Sequence, residues 1–422
     1  MKHQTFQNAR GNSHQSQRVV ALYSDIGRGH PSYLDSLLYL LKKRAPHLVC
    51  RTVFSVSGPC GQESKGVSLL CWRTLSWLYN ISGKGGVQTR FYNLVRKRSQ
   101  KSSKDSLGIK ILGRHLKRAY ENFPGICLVD HPIVARSLAD ICRVWYVHGE
   151  IAAPAECAIQ GVERILAPLN ETKEMLIACG AEKEAVVVCG LMIEPPLVES
   201  VEKAYQERLK RINKSNRPLT VGFFTSGAYP KEHMEKIILG AFSVIQKKMK
   251  AIIFCGTNPH KFEWVKNKVS GWGAKIVEDK SEFGSCGEET SHHNEEFDLK
   301  LVGRPTRQED TQCAVQAIPN LDVFVAASHE RTNWAVGLGL PMFVLFPLIG
   351  TYASQNFEFA QAQKVVYPLD VPEKAKNLGE ILSGLRQKGQ LLQMAQNGVG
   401  VHSITGIDTA VSYFTRKFDQ AT

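Results

Sequence analysis

The feature that most constrains this chain is a rhythm that runs twice. Short apolar runs, each closed by a glycine or a polar turn, alternate with stretches of helical period. The first series holds strand-like runs at 19–24, 49–56, 126–130, 144–148, 164–167 and 185–189. Amphipathic 31–44, with Leu34, Leu37, Leu38 and Leu41 on one face, and helical stretches near 132–140 and 170–179 lie between them. The series breaks at Glu194-Pro195-Pro196, a turn signal, and at a charged helical connector over 199–217 that ends at Pro218. It then restarts, with strands at 219–224, 251–255, 275–277, 299–302, 321–326 and 341–346. Helices near 230–249, 259–270, 309–317, 331–338, 354–363, 373–388 and 403–418 alternate with them, and polar 279–298 reads as an exposed loop. Strand, helix, strand at this pitch predicts parallel sheets covered on both faces.

The expected architecture is therefore α/β, with two Rossmann-like parallel-sheet domains facing across a cleft. Residues 1–17 read as a tail and 18–198 as the first domain, carrying an insertion at about 60–122. The linker is 199–218, the second domain 219–402, and 403–422 a last helix that can pack back on the first domain. A length of 422 residues suits this layout. The longest apolar stretch, near 340–348, is far short of the roughly 20 residues a bilayer needs. The polar start carries no apolar core of a secretory signal, so the expected location is the cytoplasm. The 11 cysteines are odd in number and include no C-x-x-C pair. That favours free thiols in a reducing compartment over a disulfide framework or a zinc site.

Charge narrows the partners. Residues 1–145 hold 23 Lys and Arg against 7 Asp and Glu, while the rest hold 30 against 32, so the net +14 resides in the first third. Within 68–81 (SLLCWRTLSWLYNI) lie Trp72 and Trp77, and a cluster of Arg96, Lys97 and Arg98 follows, with Arg114, Lys117 and Arg118 on a helix beyond. Apolar and aromatic groups flanked by cations suit an acceptor site or peripheral contact with an anionic membrane on its inner face. An ordinary helical insertion with solvated cationic faces has equal claim. No nucleic-acid motif accompanies the charge, so nucleic acid is not an expected partner.

Three turns carry the candidate chemistry. Asp25-Ile26-Gly27-Arg28-Gly29-His30 ends the first strand and opens the first helix. Gly27 and Gly29 let the backbone approach a ligand, the helix start favours anions, and His30 supplies an acid–base group. The spacing is not that of a dinucleotide fingerprint. Thr225-Ser226-Gly227 occupies the equivalent turn of the second half. The third region runs from Asp322 to Ala360. Its strand ends at Ser328-His329-Glu330-Arg331-Thr332, and a later strand ends in a polar loop, 350–356, containing Gln355 and Asn356. Strand-end loops of open α/β sheets are where ligands bind.

This arrangement of strand, polar loop, helix, Gly339-Leu340-Pro341, strand and Gln355-Asn356 resembles the donor domain of GT-B glycosyltransferases. The families it is most similar to are the lipid-intermediate N-acetylglucosaminyltransferases of peptidoglycan synthesis and the diacylglycerol glycosyltransferases. Their first domain opens on a glycine loop ending in His, matched here by Gly27-Arg28-Gly29-His30, and 163–196 is also similar. The resemblance implies a nucleotide-diphosphate sugar donor, UDP-linked first, and transfer to a hydroxyl of a small-molecule or lipid acceptor. It implies His30 as general base, with Asp130 and Glu150 as further candidates on the same edge. Donor contacts would come from Gly27, Gly29, Thr225, Ser226, Gly227, Ser328, Glu330, Arg331, Thr332, Gln355 and Asn356. Where the peptidoglycan family places a ribose-binding Glu, this chain has Asn333 and Trp334, and Glu330 is the nearest acid. No Asp-x-Asp element is present, so neither a metal nor a cofactor is expected. The alternatives are an epimerase or hydrolase of a nucleotide sugar on the same fold, or a non-catalytic nucleotide-sugar-binding protein.

Overall fold

The computed structural model describes residues 19–24, 29–48, 50–53, 107–214, 217–280 and 296–419, together with Leu70 and Thr74. Two wholly parallel sheets organise them. The first contains β1 (Val19–Leu22), β2 (Cys50–Val53), β3 (Ile126–Val129), β4 (Arg143–Val147), β5 (Arg164–Ala167) and β6 (Val186–Val188). Its order is β2-β1-β3-β4-β5-β6. The second contains β7 (Thr220–Phe224), β8 (Lys250–Phe254), β9 (Ile276–Lys280), β10 (Leu299–Gly303), β11 (Val323–Ala326), β12 (Met342–Leu345) and β13 (Val366–Leu369). Its order is β13-β12-β11-β7-β8-β10-β9.

Buried parallel strands need cover on both faces, and each sheet has it. On one side of the first sheet, α1 (Gly29–Arg44) places Leu34, Leu37 and Leu41 in a cluster with Ile407, Val411 and Phe414 of α14 (Gly406–Asp419). The chain's last helix thus packs on its first sheet. The Phe414 ring lies 4.8 Å from Trp145, and Arg164 Nε donates to the Tyr413 hydroxyl at 2.9 Å. The opposite face is covered by α2 (Leu107–Tyr120), α3 (Pro132–Leu138) and α4 (Asn170–Ala178). In the second sheet, α6 (Lys231–Gln246) and α7 (Pro259–Val269) cover one face, and α8 (Arg307–Ala317), α9 (Thr332–Gly337) and α10 (Thr351–Ala362) the other. No described helix is long and apolar enough to cross a membrane.

The structure departs from the sequence expectations at four places. Glu194-Pro195-Pro196 is no turn: α5 (Pro195–Asn213) begins there, with proline in the first helical positions where no N–H is needed. Residues 351–356, expected as loop, are the first turns of α10. The 373–388 helix divides at Asn377 into α11 (Pro372–Lys376) and α12 (Leu378–Gln387), and α13 (Gln390–Asn397) follows. Finally, β13 was not expected, because Pro368 interrupts its apolar run. It is an edge strand, where proline costs no ladder bond on the solvent side.

Candidate active site

In each sheet the strand order reverses beside the first strand, between β1 and β3 and between β7 and β11. Crevices at such points bind ligands at the carboxyl ends of the strands. The described candidates of the first half gather at one crevice, those of the second half at the other, and the two sets touch.

Below β1, Ser24 N donates to Asp130 Oδ1 at 2.9 Å, which ties the turn after β1 to the end of β3. His30 lies in the first turn of α1. Its ring is 5.6 Å from that of His131 and 5.3 Å from Tyr352 of α10, across the cleft. Gly29 opens α1, whereas Gly27 lies outside the described residues, as do Trp72, Trp77, Arg96, Lys97 and Arg98.

Beyond β4 the segment His148-Gly149-Glu150 is buried between the halves. The tautomer of His148 follows from its partners. Nε2 faces the Ala152 carbonyl at 3.0 Å and must donate, so Nδ1 accepts from the Tyr146 hydroxyl at 3.1 Å. Burial, with His30 nearby, pushes His148 down to about 3, so it stays neutral. Gly149 lies under the Tyr33 ring, and a Cβ there would come within 2.3 Å of it. Its carbonyl accepts from Asn333 Nδ2 at 3.0 Å. Gly149→Ala should therefore force Tyr33 out of place, at a cost of about 1–3 kcal/mol. A melting curve on the purified variant measures it.

Asn356 is the pin between the halves. It is fully buried on α10, accepts from Ala152 N at 2.8 Å, and donates to Glu150 Oε2 at 2.8 Å and to the Ser328 carbonyl at 3.2 Å. Its neighbour Gln355 is exposed. Because residues 351–356 are helix, the two side chains diverge by about 100° and do not act as a pair. Ser328 and Thr225 also have committed hydroxyl protons, donated to the Ala353 and Phe254 carbonyls at 2.7 and 2.9 Å.

Glu330 and Arg331 follow β11. Arg331 Nη1 donates to Glu330 Oε1 at 3.0 Å, and its guanidinium stacks over Phe224 at 4.9 Å and Trp334 at 5.5 Å. The contact with Phe224 brings the turn after β7 against the turn after β11. Burial pushes Glu330 up, but Arg331, His329 and His30 outweigh it and leave the carboxyl below its ordinary range. On these two turns Ser226 Oγ, Arg331 Nε and Thr332 Oγ1 are buried with no hydrogen-bond partner among the described residues. Such atoms in a native fold ask for a ligand or solvent partner. No group of three or more His, Cys, Asp or Glu among the described residues is arranged to hold a metal ion.

Sequence reasoning missed the groups that close the cleft. Glu194 accepts from the Trp334 indole at 2.9 Å. Arg307 of α8 pairs with Asp35 of α1, which also accepts from the Tyr23 hydroxyl at 2.7 Å. Tyr352 and Cys157 meet at 3.0 Å. Only Tyr33, one helical turn after His30, carried a positional signal.

Two carboxyls make the site pH-sensitive. Burial raises Glu150 from 4.5 to about 8, with Glu330 adding to it, and burial raises Asp130 from 3.8 to about 8. The folded state then holds more protons than the unfolded state between those limits, so stability falls as pH rises through them. Each group contributes a slope of up to about 1.4 kcal/mol per pH unit. Urea unfolding at pH 5.5 and pH 8 should show the folded state weaker at pH 8, and Glu150→Gln should flatten the difference. A pH-independent stability would contradict both assignments.

No protein-family model matches the chain, and no curated protein matches it in sequence. Solved structures do match. S. aureus MnaA, in a co-structure with UDP, superposes with a TM-score of 0.54 at 11% identity, over 95% of this chain and 96% of that one. UDP-GlcNAc 2-epimerase from Neisseria meningitidis, bound to UDP-GlcNAc, gives 0.53 at 12% identity, over 95% and 99%. Acinetobacter baumannii MurG gives 0.52 at 12% identity, over 94% and 99%. The likeness is one of fold, and the chain has the two-domain GT-B architecture.

Proposed function

We propose that this protein is an enzyme that binds a nucleoside-diphosphate sugar, UDP-linked first, in the cleft and transfers the sugar to a hydroxyl of a lipid or other hydrophobic acceptor. The observation that carries the reading is that Ser226 Oγ, on the turn after β7, and Arg331 Nε and Thr332 Oγ1, after β11, are each buried and unpartnered among the described residues, while Arg331 stacks on Phe224 at the end of β7. A diphosphate supplies the acceptor atoms those donors lack, and the guanidinium offsets charge as the diphosphate leaves. UDP and UDP-GlcNAc in two similar folds support the nucleotide class.

In the transfer step the acceptor oxygen attacks the anomeric carbon, the bond to the diphosphate breaks, and the acceptor's proton passes to a base. His30, at the cleft face of α1 beside Tyr352, is the leading base, its imidazole being the kind of group that takes up a proton from an acceptor hydroxyl. Glu150 and Asp130 hold their protons up to about pH 8, which suits them to donate or to shuttle a proton rather than to accept one at neutral pH. That favours a second reading, epimerisation of the donor sugar, which needs reversible proton transfer and no acceptor. Two of the similar folds are named as a UDP-GlcNAc 2-epimerase and as MnaA with UDP.

The first test is a thermal-shift panel of UDP, GDP, TDP, ADP and CMP with their sugar conjugates. A ligand at a hundredfold excess over its dissociation constant stabilises the fold by about 2.7 kcal/mol. A shift with one diphosphate supports the site, and indifference to all of them would remove the nucleotide reading. Incubation with the binding donor alone then separates the reactions. An altered sugar on intact donor means epimerisation, free sugar means hydrolysis, and no change until an acceptor is added means transfer.

A further inference from the structure

At the amino ends of β3 and β4, the end of the first sheet away from the cleft, two cysteines face each other. Cys127 is on β3 and fully buried, while Cys142 lies just before β4 and is only partly buried. Their sulfurs are 3.6 Å apart and share a hydrogen bond. Cys142 also lines an open surface pocket together with Phe123, Ala139, Asp140, Gly161 and Glu163. Cys142 is thus the member of the pair on the pocket side, and Cys127 the enclosed one. Cys157, Cys189, Cys255 and Cys313 instead contact oxygen or nitrogen and Cys179 is exposed, so among the cysteines whose side chains are described this is the one close thiol pair.

We propose that Cys127 and Cys142 form a modification site, a dithiol that closes to a disulfide when a peroxide enters the pocket. The asymmetry sets the roles. The Cys142 thiolate attacks one peroxide oxygen, the O–O bond breaks, and Cys142 becomes a sulfenic acid. The leaving hydroxide takes up the proton lost by Cys142 as water. The Cys127 thiol then attacks the Cys142 sulfur, the S–O bond breaks, and the second water leaves with the Cys127 proton. Two thiols are oxidised and one peroxide is reduced to two waters. Closing the bond requires the sulfurs to approach from 3.6 Å to about 2.05 Å, and Cys142 lies just outside the sheet ladder, before β4. The contact with Cys127 holds Cys142 below the ordinary thiol range, which makes it the reactive partner, while that hydrogen bond and burial push Cys127 up.

Trypsin makes the test direct, because Arg136 separates the two residues into peptides 119–136 and 137–143, each with one cysteine. The native full-length protein is treated with hydrogen peroxide, blocked with an alkylating agent and digested. The expected product is a 119–136/137–143 cross-linked peptide, lighter by two hydrogens than the sum of its parts and lost on reduction with dithiothreitol. In a Cys127→Ser variant the sulfenic acid has no resolving partner, so Cys142 should instead accumulate as sulfinic acid. If both peptides stay alkylatable while other cysteines oxidise, the proposal is wrong. It is equally wrong if Cys142 reaches the sulfinic acid in the wild-type chain without cross-linking, or if the cross-link forms as readily in urea as in the folded protein. None of these readouts depends on nucleotide binding.

Discussion

Asn356→Ala is expected to lower the stability of the folded protein by about 3–5 kcal/mol, the largest loss from any single polar side chain in the cleft. Three bonds disappear with the amide, and each leaves a buried group behind: the Ala152 N–H, the Glu150 carboxyl and the Ser328 carbonyl. An unsatisfied buried donor or acceptor costs about 1–3 kcal/mol, and the three lie too deep for water to replace the amide without rearrangement. Asn356→Asp tests the same point by chemistry rather than volume. It keeps the acceptor for Ala152 N but sets a second carboxyl against Glu150, so it should lose nearly as much, and more at high pH. Ser328→Ala removes one bond, to the Ala353 carbonyl, and should cost only about 1 kcal/mol. The measurement is urea unfolding of the three variants against wild type. If Asn356→Ala and Ser328→Ala cost the same, Asn356 does not pin the halves.

The comparison of these residues shows what the sequence could disclose. The two sheets were legible because burial on both faces forces continuous apolar runs, and the turns at Thr225–Gly227 and Ser328–Thr332 were legible because strand ends are punctuated by glycine and hydroxyls. Helix against loop at 351–356 was not. Thr-Tyr-Ala-Ser-Gln-Asn has no strong helical signal of its own, and the segment is helical because Tyr352 is buried in the core of the first half and Phe357 in that of the second. That one difference separates Gln355, exposed, from Asn356, buried, although they look like a pair on paper. The closing contacts were illegible for a related reason. Asp35 and Arg307 are 272 positions apart, and Asn356 is 206 from Glu150. Only the packing of the two halves brings them within bonding distance. Buried Glu150 and Asp130 show the same limit. Their types were visible, but their upward shifts to about 8 come from burial, which no local pattern records.

Arg331→Ala is expected to reduce turnover by about 100- to 1000-fold once the donor is identified, the scale for removing a preset electrostatic donor from a reacting centre. The guanidinium is held before any ligand arrives: Phe224 and Trp334 lie under it, and Glu330 accepts from Nη1 while Nε stays unpartnered among the described residues. A donor fixed in place needs no reorganisation as charge develops on the diphosphate, so its loss should fall mainly on kcat rather than KM. Removing Arg331 also leaves Glu330 without its counter-charge, and that carboxyl would rise toward protonation. Arg331→Lys separates the two effects. It restores a cation beside Glu330 and so recovers most of the stability, but it lacks the planar fork and stacks poorly on Phe224, so much of the rate loss should remain. Pairing kcat and KM with melting temperature for both variants decides the matter. A lysine variant with full activity would reduce Arg331 to a counter-ion for Glu330. An alanine variant that is stable and active would shift the leaving-group role away from Arg331, leaving Ser226 and Thr332 as the groups to change next.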